Sequence, residues 1–328
     1  MNRRHYLKIM ALGILSPVAY ATSIIDDIEK KFDRSWQVPL NTELELWPSH
    51  YGLDINKALL AIAEWIIPTS SQVVIRIQDG IYTFAQSIIF QHPYGKRISI
   101  LGNITHPEKC RFQWSGGSDA IYVDAGYVLG MINGITMEHT KMSNRGLGSA
   151  FLADNGGVIF CGQNIKVYNF YYGFQARFSG VIQCEGTSSY GAGDANYFAF
   201  NGGVISAPNA KAYDARDDEK GLGSGFVAEY GGAINCVNAV ASRNAFSGFT
   251  ALSNGSIRAY GSRASSNGKA GYYVNTGGVI VAHNATATLN CGQGIWLRHN
   301  NEAFEGNNFV DNNNLKDSKL CLGKTSHD

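Results

Sequence analysis

The chain has 328 residues, with 27 Lys and Arg against 26 Asp and Glu and a formal net charge of +1. Near-neutrality offers no electrostatic case for a nucleic-acid partner, and no apolar run is long enough for a membrane span in the mature chain. At 45% hydrophobic and 16% charged residues, with 38 glycines and 17 tyrosines, the composition is that of a globular, corner-rich β protein.

Residues 1–21 read as an export signal. Arg3, Arg4 and Lys8 form a charged start, Ile9 to Val18 an apolar stretch, and Ala19-Tyr20-Ala21 a small-residue cleavage site. Asn2 to Lys8 is similar to the twin-arginine motif of proteins exported already folded, so the expectation is an exported chain, periplasmic or extracellular. Residues 22–69 are expected to form a lead-in and a cap. There Asp54 can N-cap a helix from Ile55 to Ile67 that places Ile55, Leu59, Ile62 and Ile66 on one face, and Pro68 stops it.

From about residue 70 to 300 the chain reads as a solenoid. Val73 to Phe84 alternates around an Asp79-Gly80 turn, and Arg97 to Gly102 reads as the next strand. Landmark glycines then follow at Gly157, Gly180, Gly203, Gly232, Gly255 and Gly278, spaced 23, 23, 29, 23 and 23 residues. Two residues after each stands Ile: Ile159, Ile182, Ile205, Ile234, Ile257 and Ile280. Four after stands Cys or Ala, and twelve after stand Asn169, Ala192, Ala215, Asn244, Asn267 and Asn290. Another column is aromatic, from Phe151 through Phe174, Tyr197, Phe226 and Phe249 to Tyr272, and Gly mostly precedes it, with Asn196 the exception. Alternating columns have the period of strands, so stacked coils of a parallel β-helix are expected, with Ile, aromatic and small columns inside and an Asn hydrogen-bond ladder at one corner. The Leu-x-x-Leu-x-Leu frame of leucine-rich repeats and the Gly-Gly-x-Gly-x-Asp of calcium-binding nonapeptides are both absent. Residues 301–328 read as an Asn-rich C-terminal cover or tail.

The pattern Ile-x-Cys/Ala, Ala, Asn, Gly-Phe resembles the right-handed parallel β-helix repeats of the pectate-lyase-like superfamily, and Ile-x-Asp-Gly-x-Tyr at Ile77 to Tyr82 resembles that superfamily's entry coil. The resemblance implies an all-β solenoid of ~23-residue coils with a short N-terminal capping helix. It does not imply a reaction, because the superfamily contains lyases, hydrolases, epimerases, phage tailspikes and adhesins. The calcium and arginine motifs of pectate lyases and the Asp pairs and Gly-His-Gly of polygalacturonases are absent.

Of six cysteines, Cys161, Cys184 and Cys236 share an inward column and read as small buried thiols; Cys161 and Cys184, one coil apart, are also within reach of a disulfide. No Cys-x-x-Cys occurs, and neither a metal nor a cofactor is expected.

A packed interior puts function on an outer face. Two coils carry insertions ending in similar text, Gly146 to Phe151 and Gly221 to Phe226, so both loops are expected at one edge, ~14 Å apart across two plain coils. The cleft between them is the width of a sugar chain. Its walls carry Glu138, His139, Lys141 and Arg145 on one side and Asp214 to Lys220 on the other. Its floor offers Tyr171, Tyr172, Gln175, Tyr190, Asn196 and Phe198 as sugar-binding groups. Hydrolysis would use a carboxylate pair drawn from Asp194, Asp217 and Glu138; lyase or epimerase chemistry would use His139 as base and Arg177 as cation. The blander alternatives are a solvated loop tip at Asp217 to Lys220, and a surface charge column of Asp154, Arg177, Glu229 and Arg298. Two readings stay open: an exported protein that binds and cleaves a polysaccharide, acidic or acetylated, in this cleft, and a non-catalytic surface or tailspike-like binding module.

Overall fold

The structure is a computed structural model that describes residues 8–9, 36–51, 54–141, 148–217, 223–298 and 303–312. The expected signal at 1–21, most of the lead-in, Arg145, the loop tip 218–222 and the tail beyond Asn312 lie outside the described residues, save that Lys8 and Ile9 pair antiparallel with Glu45 and Leu44.

Every other strand pairing is parallel, and each coil contributes one strand to each of three sheets. Sheet A runs from Glu43–Leu46 through Val158–Cys161 and Val181–Gln183 to Ala303–Glu305; sheet B runs from Gly80–Phe84 to Val310–Asn312; sheet C runs from Ile88–Phe90 to Ile295–Leu297. Pairing therefore begins before residue 70 and continues past 300. The landmark columns stack in register: Ile159 pairs with Ile182, Ile182 with Ile205, and so on to Ile280. All six isoleucines are buried, each worth roughly 1.5–3 kcal/mol of apolar burial. The aromatic column is a stack of rings from Phe151 to Tyr272 with centroids 4.6–5.0 Å apart, which is the rise of one coil.

Helix α1 spans Ile55–Ile62, capped by the Asp54 carboxylate accepting from the Lys57 amide. It ends earlier than expected, where the buried His92 ring bonds the Ile62 carbonyl. Its buried face is Ile55, Ala58 and Ile62, and Ile55 and Ile62 join the main core that runs through the coils. Asn56 ties it to the Ser87 carbonyl beside the first strand of sheet C. Cys110, Cys161, Cys184 and Cys236 are buried free thiols, and burial pushes the Cys161 and Cys184 thiols well up. Cys291 is disulfide-bonded.

One corner needs correction. Between sheets B and C, Asn169, Gly191, Asp214, Arg243, Ser266 and Leu289 all take φ between 56° and 64°. An extra residue between the first two strands of its coil shifts Asn169 into this left-handed column, and buried Phe170 takes the slot expected for it. The asparagine ladder proper is Asn244, Asn267 and Asn290, each Nδ2 donating to the next Oδ1 at 2.8–2.9 Å.

Candidate active site on the outer face of sheet C

Both insertions leave the same corner, one between Ile135–His139 and Ser149–Ala153, the other between Lys211–Tyr213 and Ser224–Glu229. Ser149, Tyr172, Ala195 and Ser224 stand in one register row, so the two loops are three coil rises apart, with two plain coils between. The outward residues of sheet C lie between the loops.

Several expected residues are not there. Asn196 is fully buried. Its Oδ1 accepts from Ser189 Oγ at 2.7 Å, and its Nδ2 donates to the Tyr213 carbonyl and to Asn244 Oδ1, both at 3.2 Å. The glycine column to which it belongs faces the corner interior: a Cβ at Gly225 would lie 2.9 Å from Ala241 Cβ and 3.1 Å from Asn244 Nδ2. Where the ladder slot holds Ala192 and Ala215 in place of Asn, Asn196 fills the corner and bonds up to Asn244. It is a ladder member and cannot touch a sugar.

His139 is 2% exposed. Nε2 donates to the Gly116 carbonyl at 2.9 Å, Nδ1 accepts the Lys141 amide at 3.1 Å, and the ring sits edge-on to Phe170. With both nitrogens engaged it braces the root of the first loop and is no base. Glu138 lies on the outer face of sheet B, paired with Arg111. Tyr190 is on that face too, stacked between Tyr168 and Tyr213 at 4.8 and 5.3 Å. Asp217 is exposed on the second loop.

What remains forms one strip. Gln175 and Phe198 occupy an outward row three residues in from the loops but are only 6% and 7% exposed. Gln175 Oε1 accepts from buried Ser149 Oγ at 2.7 Å, and Phe198 packs under Tyr172 and Phe200. Cover near the loops shifts the open surface one outward row along, to Arg177, Phe200 and Glu229, which pair across adjacent strands. At the end of that row Phe178 and Tyr230 are 47% and 55% exposed, each edge-on to Phe200. Tyr171 stands edge-on to Tyr172.

Charge is concentrated here. The Tyr172 hydroxyl hydrogen-bonds the Asp194 carboxylate, and burial followed by that negative charge drives its pKa far above the usual phenol range. Glu229 is half-buried; burial first, and then repulsion from Asp194, raise its carboxyl above the ordinary glutamate range. The Asp194 charge thus acts in the same direction on the Tyr172 phenol and on the Glu229 carboxyl. Farther along, Arg177 donates through Nε and a terminal nitrogen to Asp154 Oδ2 at 3.0 and 2.8 Å. Burial works against the guanidinium charge, but Asp154, then Asp119 and Tyr122, outweigh it and hold Arg177 protonated. Tyr122 donates to Asp124 at 3.1 Å, and burial with that acceptor pushes its phenol up to about 12.

Sequence reasoning missed Glu229 and Phe200 as site residues. Glu229 looked like one member of a surface charge column, and Phe200 had no repeat column to mark it. The signal that could have found them is position: Phe200 stands two residues beyond Phe198 on a strand between the loops, and Glu229 is its partner on the strand that follows the second loop. Among the described residues no group of three or more His, Cys, Asp and Glu could hold a metal ion, and no helix is long and apolar enough to cross a membrane.

Among solved structures, the A-module of the mannuronan C-5 epimerase AlgE4 from Azotobacter vinelandii is similar, with a TM-score of 0.57 and 14% sequence identity over 74% of this chain and 68% of that one. The likeness shows the fold: a right-handed parallel β-helix of the pectate-lyase-like type. No protein-family model and no curated protein sequence matches the chain.

Proposed function

We propose that this chain binds an extended polysaccharide along the outer face of sheet C, between the two corner loops, and hydrolyses it. The observation that carries the reading is the half-open row of aromatic rings, Phe178, Phe200 and Tyr230, with half-buried Glu229 paired in register beside Phe200. Sugar rings have apolar faces and hydrogen-bonding rims, which suits Phe200 and Tyr230 on one side and the carboxylates on the other. Glu229, holding its proton beyond the ordinary carboxyl range, gives it to the departing glycosidic oxygen; Asp194 takes a proton from the attacking water. One C–O bond breaks, one forms, and the protons balance. The similar epimerase module, a polysaccharide-modifying protein by its name, supports the polysaccharide part of this reading.

Export belongs to the same proposal. The charged and apolar arrangement of residues 1–21 supports it, and so does the disulfide at Cys291, since such bonds persist in oxidising compartments.

A non-catalytic binding module is the second reading, favoured by the engagement of two groups: Arg177 is committed to Asp154 and His139 is buried, which leaves neither for uronate chemistry. The test is a reducing-end and unsaturated-product assay over neutral, amino-sugar and uronic polysaccharides, with Glu229→Gln and Asp194→Asn as controls. New reducing ends that fall on the order of 100-fold or more in either variant are expected. Unsaturated ends would replace hydrolysis by elimination; retained binding without product would leave the binding module.

A further inference from the structure

Phe178 and Tyr230 are the only exposed aromatic side chains among the described residues, and both stand where the backbone disfavours them. Each opens the turn from sheet C to sheet A, with a φ of 49°. Bulky residues rarely take that left-handed geometry. Five other coils put Ala125, Asn155, Asn201, Ser253 and Thr276 at the same turn position, with φ between 45° and 53°. Core packing does not account for the two rings, since both are open to water. They flank one coil. Phe178 and Tyr230 directly follow Arg177 and Glu229, which pair with Phe200 from its two sides. Two coil rises, ~9.6 Å, therefore separate the two positions along the solenoid axis. Each ring meets Phe200 edge-on, at 88° and 80°. Arg177 lies over Phe178, 5.8 Å from the ring centre. Among the described residues no ring stacks face to face on Phe178 or on Tyr230.

Resting on the polysaccharide reading above, we propose that Phe178 and Tyr230 are paired platforms for alternate sugars of one chain lying along the solenoid axis, and that the polymer is a straight, β-linked chain of gluco-type pyranoses, as in cellulose or chitin. Equatorial linkages keep such a chain extended, and each sugar advances it by close to one coil rise, ~4.8 Å. Successive sugars turn over, so alternate ones offer the same side to the surface two rises apart. Equatorial hydroxyls leave axial C–H groups on both ring faces, which gives Phe178 and Tyr230 an apolar surface to stack on. The sugar between them passes over Phe200 and brings its linkage beside Glu229, the register partner of Phe200. A chain with axial linkages winds away from a straight row of platforms. An axial hydroxyl presses a polar group against an aromatic face, where it finds no hydrogen-bond partner.

The experiment is calorimetric titration of the chain with disaccharides and trisaccharides of two β-linked series, cello-oligosaccharides and N-acetylglucosamine oligomers, and of the α-linked malto series. A β-linked trisaccharide reaches both platforms and is expected to bind about tenfold or more tightly than its disaccharide. Maltotriose is expected to bind about tenfold or more weakly than the better β-linked trisaccharide. Phe178→Asn and Tyr230→Asn install a residue that neighbouring coils carry at this turn. Each should bring the trisaccharide down to disaccharide affinity while the melting temperature stays level or rises, because Asn tolerates the left-handed backbone. Rings that served only to cover Phe200 would give a lower melting temperature and unchanged binding. That result, maltotriose bound as tightly as the β-linked trisaccharides, or no gain from two sugars to three would overturn the proposal. If malto-oligosaccharides or another polymer of the assay panel bind in place of the β-linked series, and Phe200→Ala abolishes it, the platform inference falls while the polysaccharide reading stands. If no saccharide binds, both fall.

Discussion

Glu229 is the side chain on which the chemistry turns, and its environment has a consequence that can be read without any substrate. Its carboxyl is held above the ordinary glutamate value of 4.5 by burial and by Asp194. The folded chain therefore binds this proton more tightly than the unfolded chain. The contribution to stability is complete below the unfolded value and is lost as pH rises through the raised folded value. Glutamine cannot ionise and escapes that loss. Glu229→Gln should gain in melting temperature relative to wild type between about pH 4 and about pH 8, the gain appearing above the ordinary carboxyl range. Thermal denaturation across that range checks it; a difference independent of pH would mean that neither burial nor Asp194 raises the Glu229 carboxyl. In the sequence Glu229 was visible only as one charge in an outward column with Asp154, Arg177 and Arg298. Pairing across strands put it beside Phe200, where burial and then the charge of Asp194 raise its carboxyl.

At the level of the strand and its corner, the lesson concerns which positions face in. The Ile, aromatic and small columns were readable because every coil repeats them and each repeats a buried position. Alternation then assigned Asn196 to the outside, next to inward Tyr197. The corner breaks alternation: the glycine column and the aromatic column after it both face the interior, as the contacts awaiting a Cβ at Gly225 and Gly248 show. Asn196 thus compensates for the alanines at 192 and 215. Asn196→Gly, which restores the residue found in most neighbouring coils, should destabilise the chain by about 1–3 kcal/mol, because Ser189 loses its acceptor and the amide's bonds to Tyr213 and Asn244 are lost inside the corner. Urea denaturation measures the loss, and carbohydrate binding should be unchanged. A variant of full stability and impaired binding would return Asn196 to the cleft floor. His139 was misassigned for a related reason: no sequence pattern announced that both ring nitrogens would be taken by backbone groups of its own corner.

Taken as a whole, the molecule is a stack of coils whose interior is committed to packing, so its three outer faces compete as places for function. The stacking was legible because a period near 23 residues admits few architectures. The choice of face was legible in part, because both long insertions sit at one corner; the width of open floor was not, because cover depends on rings and loops from other coils. Sheet B offers a rival, the half-buried stack of Tyr168, Tyr190 and Tyr213, whose ring faces cover one another. Affinity electrophoresis in polysaccharide gels of wild type, Phe200→Ala and Tyr190→Ala separates the two faces. Retardation weakened about tenfold by Phe200→Ala, equivalent to ~1.4 kcal/mol, and untouched by Tyr190→Ala is the predicted result; the reverse pattern would place the sugar on sheet B and contradict the account.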